Sequence, residues 1–413
     1  MVFPGKGFKT IIGILAFLII ALPSAGFCAD RGAQKPIKIG VSISFSGPLA
    51  REGGLMKQGY DLWMDTVNKA GGIQADKVKR PVELIYYDDK GDAFTSAKLI
   101  EKLISDDKAD FIFGPYGSGI TAAVSAISEK YKKIMVAPMA NADEVYTRGF
   151  KYLFGLLPPV SRGLGAHIDL MLTLNPKPQT VAIVWPDDLF PAGAAKATQT
   201  RATEAGLKVI YASKYPKATK DLTPLLSEIK TKAPDALICA GYFEDSALLV
   251  KQAREMKVEV KYLGNVDLPL HKDFPKVLGK NADYIYGAST WWVPGVSWKG
   301  PVFKNSAEYE KLFKAKYNNQ EPTHFDASAA AAGVILQIAI EKAGSIDVEK
   351  VRDVLSKTDT EIFFGKVRYD ERGANTAGTG LVIQLQNGKA TVVWPKEIRQ
   401  AEPMYPMPSW DKR

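Results

Sequence analysis

From Ile37 onward, short apolar runs alternate with longer segments in which apolar residues return every third or fourth position. "IKIGVSI" reads as a buried strand. In residues 55–70, Met56, Tyr60, Trp63 and Val67 fall on one helical face before Gly71-Gly72 stops the helix. "VELIYYDD", "DFIFG" and "KIMVAPM" follow as strands, separated by helical patterns over residues 93–106 and 118–131. A second series then opens with a helical "HIDLMLTL" and continues through the strands "TVAIVW", "LKVIYASKY", "DALICAG" and "KYLGN". Its helices are "AAKATQTRATEAG", "LTPLLSEIKTKA" and "EDSALLVKQAREM". Strict alternation of strand and helix implies right-handed crossovers and parallel sheets covered on both faces, so the chain predicts two doubly wound α/β units in tandem.

Between the two series, the paired prolines of "KYLFGLLPPVSRG" fit a connection. The last third departs from the rhythm. "DASAAAAGVILQIAIEKAG" is too apolar around its circumference for a surface helix and predicts one that packs back against an earlier sheet. "GLVIQLQ" and "ATVVW" flank "NGK", a strong hairpin signal. The proline-rich "EPMYPMPSW" predicts an irregular tail, and no repeat of solenoid period occurs.

The 413 residues suffice for two domains, and 46% hydrophobic with 24% charged residues places the chain among globular proteins. The start is different in kind. Lys6 and Lys9 precede an apolar run from Ile11 to Leu22, followed by small residues, as in a secretory signal peptide over residues 1–29. Cleavage falls after Ala29 or after Gly26, and Cys28 offers the alternative of a lipid-modified start. The run is too short for a comfortable membrane span. An exported, periplasmic chain is therefore expected. If Cys28 departs, Cys239 has no partner, and its apolar surroundings suit a reduced, buried thiol. Loss of Lys6 and Lys9 lowers the net charge from +9 to +7, and the basic residues are interleaved with acids, so no nucleic-acid partner is expected.

The candidate chemistry centres on "FIFGPYGSGIT", residues 111–121, where a strand passes through a glycine-rich turn into a helix start. Such a turn suits an anion, because the first amides of a helix have no intrahelical partner. It lacks the Gly-Lys-Ser or Gly-Lys-Thr of a phosphate loop and the spacing of a dinucleotide fingerprint. Two readings remain: amides from about Gly117 to Thr121, with the hydroxyls of Ser118 and Thr121, hold one carboxylate, or Ser118 simply caps its helix. His167, His271 and His324 are scattered and lack metal-ligand spacing, which suits core or surface histidines, and no cofactor is expected. The pairs Asp88-Asp89 and Asp187-Asp188 follow strands and suit helix caps better than general acids. With no serine elbow and no base for a cysteine, the residues do not assemble an enzyme.

The run "IKIGVSISFSGPLAREGGLMKQGYDLWMDTVNKAGGI", with "VELIYYDDKGDAFTSAKLIEKLI", "DFIFGPYGSGIT" and "KIMVAPMANAD" in order, resembles the periplasmic solute-binding proteins of the branched-chain amino-acid (leucine/isoleucine/valine) ABC transport family from about residue 37 to 390. The resemblance implies an α/β, two-lobed type I periplasmic binding protein fold, each lobe a doubly wound parallel sheet, joined by a three-strand hinge. Residues 37–157 and 158–288 would give the first passes through the N- and C-terminal lobes. Residues 289–395 would cross the hinge and complete both, ahead of the tail at 396–413. It also implies a monomer that delivers a small carboxylate to the membrane subunits of an importer and catalyses nothing. Carried over by position, Ser118 matches the carboxylate-binding serine, with Tyr116 and Gly117 beside it. Met139 and Asn141 match an alanine and a threonine that flank the same group, and Glu52 stands near a common tyrosine. Phe190 and Tyr242 match aromatics that cover the ligand. Asp267 lies one residue out of register with the acid that pairs with an amino-acid ammonium. Tyr116, Phe190, Tyr242, Trp291 and Trp292 are possible stacking surfaces, which keeps an aromatic or other organic acid open as the ligand. An exported sensor subunit and an enzyme acting on a small acid are further alternatives.

Overall fold

In a computed structural model of the chain, residues 34–163, 165–266, 268–271, 274–289, 297–378 and 380–413 are described. The leader expected over residues 1–29, with Cys28, lies outside them.

The first series builds β1 (Ile37–Ile43), α1 (Ala50–Lys69), a small hairpin of β2 (Ile73–Ala75) and β3 (Val78–Arg80), β4 (Val82–Asp88), α2 (Ala93–Ser105), β5 (Phe111–Phe113), α3 (Ser118–Lys130), β6 (Met135–Ala137) and β7 (Leu153–Gly155). Its five-stranded sheet has the order β4-β1-β5-β6-β7, every neighbouring pair parallel. The expected face of α1 is buried, with Met56, Tyr60 and Trp63 inaccessible to solvent. The helix begins five residues before the apolar spacing does. Glu52 and Gly53 are buried there, and a Cβ on Gly53 would lie 1.9 Å from the Ser44 carbonyl oxygen, so close backbone approach rather than an apolar stripe fixes that turn. Residues read as a plain connection contain β7, three residues too short to show a period, held because Met135–Ala137 pairs with them in register.

The chain then passes through α4 (Val160–Gly163) and α5 (Ala166–Met171) into β8 (Thr180–Pro186), α6 (Leu189–Glu204), β9 (Lys208–Tyr215), α7 (Thr223–Lys232), β10 (Ala236–Cys239), α8 (Phe243–Glu255), β11 (Tyr262–Asn265), α9 (Phe274–Leu278) and β12 (Tyr286–Ser289). It returns to the first lobe as α10 (Ser306–Lys316), α11 (His324–Ala343), α12 (Val348–Leu355) and a hairpin of β13 (Asp359–Ile362) and β14 (Gly365–Arg368). A third passage leads to β15 (Leu381–Gln386) and β16 (Lys389–Trp394), which complete a seven-stranded sheet of order β16-β15-β12-β11-β10-β8-β9. β8 to β12 are parallel and the last two strands antiparallel. The β15–β16 turn is the expected Asn387-Gly388, both at positive φ as a tight right-twisting hairpin requires. The tail is irregular until a short turn at Trp410–Lys412, yet anchored: Trp410 Nε1 donates to Val258 O at 2.9 Å and the Met407 amide to Lys261 O at 3.0 Å.

The apolar helix α11 packs back onto the first lobe as expected, but against α1 rather than chiefly on the sheet. At their crossing, a Cβ on Gly59 would lie 1.8 Å from the Asp326 carbonyl oxygen, so only glycine lets the two backbones meet. Asp326 is fully buried and accepts from Thr323 N (2.6 Å), Thr323 Oγ1 (2.6 Å) and Tyr309 Oη (2.8 Å). Burial outweighs these donors and pushes its carboxyl up to about 7. The folded state therefore keeps a proton that the unfolded state releases near 3.8, so this contribution to stability is complete below about pH 4 and is lost as pH rises towards 7. Asp326→Asn is expected to remove that slope. The wild-type melting temperature minus the variant's should decline from pH 4 to 7, and a constant difference would refute the assignment.

Candidate functional site

α3 starts where β5 ends at the carboxyl edge of the first sheet. Tyr116 bridges Met139 in parallel register, and the Gly117 amide donates to Met139 O at 3.1 Å, so the loops after β5 and β6 run side by side. Gly117 occupies the cap position with φ 91°, and nothing lies within 4 Å of where its Cβ would be: the turn needs glycine, and the space before it is open. The reading of Ser118 as a cap is thereby corrected. Ser118 is the first helical residue, and its Oγ accepts from the amides of Asn141 (3.1 Å) and Ala142 (3.0 Å). With both lone pairs engaged, the hydroxyl can act towards a ligand only as a donor.

The donor set is narrower than expected. The Gly117 and Thr121 amides are committed within the protein, the latter to Gly117 O at 3.1 Å, and Thr121 Oγ1 is fully buried with no hydrogen-bond partner among the described residues. The amides of Ser118, Gly119 and Ile120 remain, with no acceptor among the described residues. They carry the positive end of the α3 dipole. Met139 is buried beside them, and the Asn141 carbonyl accepts from the Val160 amide at 2.7 Å, which ties this corner to the first passage between lobes.

Across the cleft stand helix starts of the second lobe. Asp188 caps α6 through Oδ1 on its Leu189 amide (2.8 Å), pairs through Oδ2 with Lys217 (2.7 Å), and lies 3.2 Å from where a Cβ on Gly119 would be. Phe190 follows in the first turn of α6, and Tyr242 stands at the cap of α8. Rings then succeed one another between the lobes: Phe190 to Tyr242 at 5.7 Å, Tyr242 to Tyr116 at 6.2 Å, Tyr116 to Phe325 at 5.7 Å, Phe325 to His271 at 5.1 Å and His271 to Phe243 at 4.5 Å. The Arg51 guanidinium lies over Phe243, 4.3 Å from its centroid. Phe325, Phe243, His271 and Arg51 were missed from sequence, because each comes from a different part of the chain and no local spacing links them. Glu52 is buried in the first turn of α1. Asp267, Trp291 and Trp292 lie outside the described residues.

The other acids are structural. Asp89 is buried and accepts from Ser44 Oγ at 2.6 Å, while Asp88 accepts from the Phe45 and Ser46 amides. Neither caps α2, whose cap is Asp92. Burial pushes the Cys239 thiol up to about 12, far from a nucleophilic thiolate at neutral pH. Among the described residues no cluster could hold a metal ion, and no single helix is long and apolar enough to cross a membrane.

Two α/β lobes that meet across a cleft, with helix starts of both turned into it, define a binding protein that clasps its ligand between lobes. The chain belongs to the periplasmic binding protein family, whose model matches residues 36–390. It is 26% identical over 390 residues to the leucine-, isoleucine-, valine-, threonine- and alanine-binding protein of Pseudomonas aeruginosa, covering 94% of this chain and 98% of the relative. It is 28% identical over 421 residues to Leu/Ile/Val-binding protein homolog 8 of Brucella suis, with 95% and 98% covered. Among solved structures, the branched-chain amino acid transporter substrate-binding protein LivJ of Streptococcus pneumoniae, in complex with isoleucine, superposes with a TM-score of 0.75 at 25% identity over 87% of this chain and all of that one. A solute-binding protein of an ABC transporter from R. palustris, in complex with benzoate, gives 0.73 at 16% identity over 87% and 95%. The expected two-lobed type I fold is the observed one, and the relatives are binding proteins rather than enzymes.

Proposed function

We propose that this protein is the extracytoplasmic solute-binding component of an ABC importer, and that it captures a small carboxylate, such as a branched-chain amino acid, between its lobes. The observation that carries this reading is the start of α3. Three amides without acceptors among the described residues and one hydroxyl restricted to donation converge beside open space, which suits an anionic oxygen pair and not a donor group. The Pseudomonas relative is named for binding leucine, isoleucine, valine, threonine and alanine, and the Streptococcus structure holds isoleucine, in support of the same class. The Ser118 hydroxyl and the amides of Ser118, Gly119 and Ile120 would hold the carboxylate, with Gly117 giving the open turn before them and Asn141 beside them; Met139 would limit the space, and Tyr116, Phe190 and Tyr242 would cover the apolar part. Glu52 or Asp267 would face an ammonium. The protein would work exported to the periplasm, as a monomer that docks on importer membrane subunits and leaves its ligand chemically unchanged.

The succession of rings between the lobes favours a second ligand class, an aromatic acid without an ammonium group. Thermal shift with leucine, isoleucine, valine, benzoate and hydroxycinnamates distinguishes the two. A ligand at one hundred times its Kd should stabilise by about 2.7 kcal/mol. Stabilisation by the amino acids alone selects the first class, and by the aromatic acids alone the second. No shift with any of them would overturn the carboxylate assignment.

A further inference from the structure

A cavity of about 40 Å3 lies behind the passages that join the lobes. Trp298 and Phe364 line it from the first lobe, Leu381 and Ile398 from the second, and Pro158 and Ala377 from the first and third passages. It has room for about one water molecule, too little for a ligand, so its bearing is mechanical. Its walls adjoin the strands at the near edges of the two sheets, β7 on one side and β15 and β16 on the other, whereas the α3 start lies two strands further in. The passages therefore run between this cavity and the cleft. They are tied together where they leave the first lobe. Asn375 is buried with its side-chain amide fully engaged: Nδ2 donates to Leu156 O (2.7 Å) and Lys366 O (3.2 Å), and Oδ1 accepts from the amides of Arg368 (3.1 Å) and Ala377 (3.0 Å). Just beyond, a Cβ on Gly378 would lie 2.7 Å from Pro158 Cγ. The first and third passages thus leave as one unit, which suits rotation about a fixed line rather than sliding.

We propose that this cavity governs how readily the lobes part, so that the side chains on its two walls, Trp298 and Ile398, set ligand affinity from outside the site. Rings of the two lobes meet across the cleft, Tyr116 with Tyr242 at 6.2 Å and Phe325 with His271 at 5.1 Å, so the arrangement here is the closed one. A rotation that separates these rings must bring together what lies on the other side of the passages. Opening therefore compresses the cavity. A side chain that fills it resists that compression, because close-packed walls have no space to yield, and one cut back removes the resistance. Ligand affinity scales with the fraction of molecules in the competent closed state, so a change in that fraction is read directly as a change in Kd. The link to affinity rests on the receptor reading above, and the link to lobe separation does not.

The test alters the two walls in opposite senses, Ile398→Phe to fill the cavity and Trp298→Ala to enlarge it. Solution scattering of the ligand-free proteins is expected to give a smaller radius of gyration than wild type for Ile398→Phe, a larger one for Trp298→Ala, or both. Calorimetry with leucine and benzoate should show whichever of them binds held about three- to tenfold more tightly by Ile398→Phe and correspondingly more weakly by Trp298→Ala. Residues that merely pack would shift the melting temperature and leave radius and affinity where they were. If Ile398→Phe fails to fold, Trp298→Ala carries the test alone. Radii that match wild type in every folded variant, or a shift opposite to the expected sign in either, overturn the proposal whether or not a ligand binds. Shifted radii of the expected sign without binding of leucine or benzoate keep the hinge assignment and count against the receptor reading.

Discussion

Ser118→Ala is expected to weaken carboxylate binding by about ten- to a hundredfold, because a hydrogen bond to a charged group contributes about 1.5–3 kcal/mol. The same change removes the acceptor shared by the Asn141 and Ala142 amides, at 3.1 and 3.0 Å. Buried donors left without a partner destabilise by about 1–3 kcal/mol, so the ligand-free protein should also melt earlier. Ser118→Thr keeps the hydroxyl and separates the two effects: it should recover most of the affinity if the oxygen is what matters. Calorimetry with the best ligand of the thermal-shift panel, together with ligand-free melting of both variants, reads this out. Unchanged affinity in Ser118→Ala would remove the α3 start from the site.

Gly59→Ala should be among the most damaging single changes on α1, with a loss of about 3 kcal/mol or more. The methyl group would sit 1.8 Å from the Asp326 carbonyl oxygen, a backbone atom that no rotamer change can move aside. α1 and α11 would have to separate, and the separation would disturb Asp326, its hydrogen bond from Tyr309 and the packing of Gly333 against Trp63. Gly54→Ala is the matched control, since nothing lies within 4 Å of a Cβ there. Chemical denaturation should show a large drop for the first and almost none for the second. Similar midpoints for both would refute the close-approach account.

The alternating series was readable because each strand there is an apolar run and each helix buries one face, so local period and tertiary environment agree. Most of the elements that escaped notice lack a period of their own; α12, with Val351 and Leu355 buried on one face, is the exception. β2, β3, β13 and β14 span three or four residues each, and β7 is recognisable only through its neighbour Met135–Ala137. The site divides in the same way. Tyr116, Gly117 and Ser118 sit in one strand-turn-helix segment whose composition is informative. The specific task of Ser118 was hidden, since it depends on two amides beyond β6. Phe243, His271 and Phe325 meet only because the first lobe is finished by a late helix and the second by a turn after β11. No spacing within one stretch of chain encodes that meeting.

The place of α11 has a practical bearing on how the molecule can be divided. It covers Trp63 and Tyr60, yet it is synthesised after the whole of the opposite sheet except its last two strands. A fragment ending near residue 157 would expose that aromatic surface to water, and one starting there would carry a long greasy helix with nothing to rest on. Neither half should be obtainable as a soluble, independently folded piece.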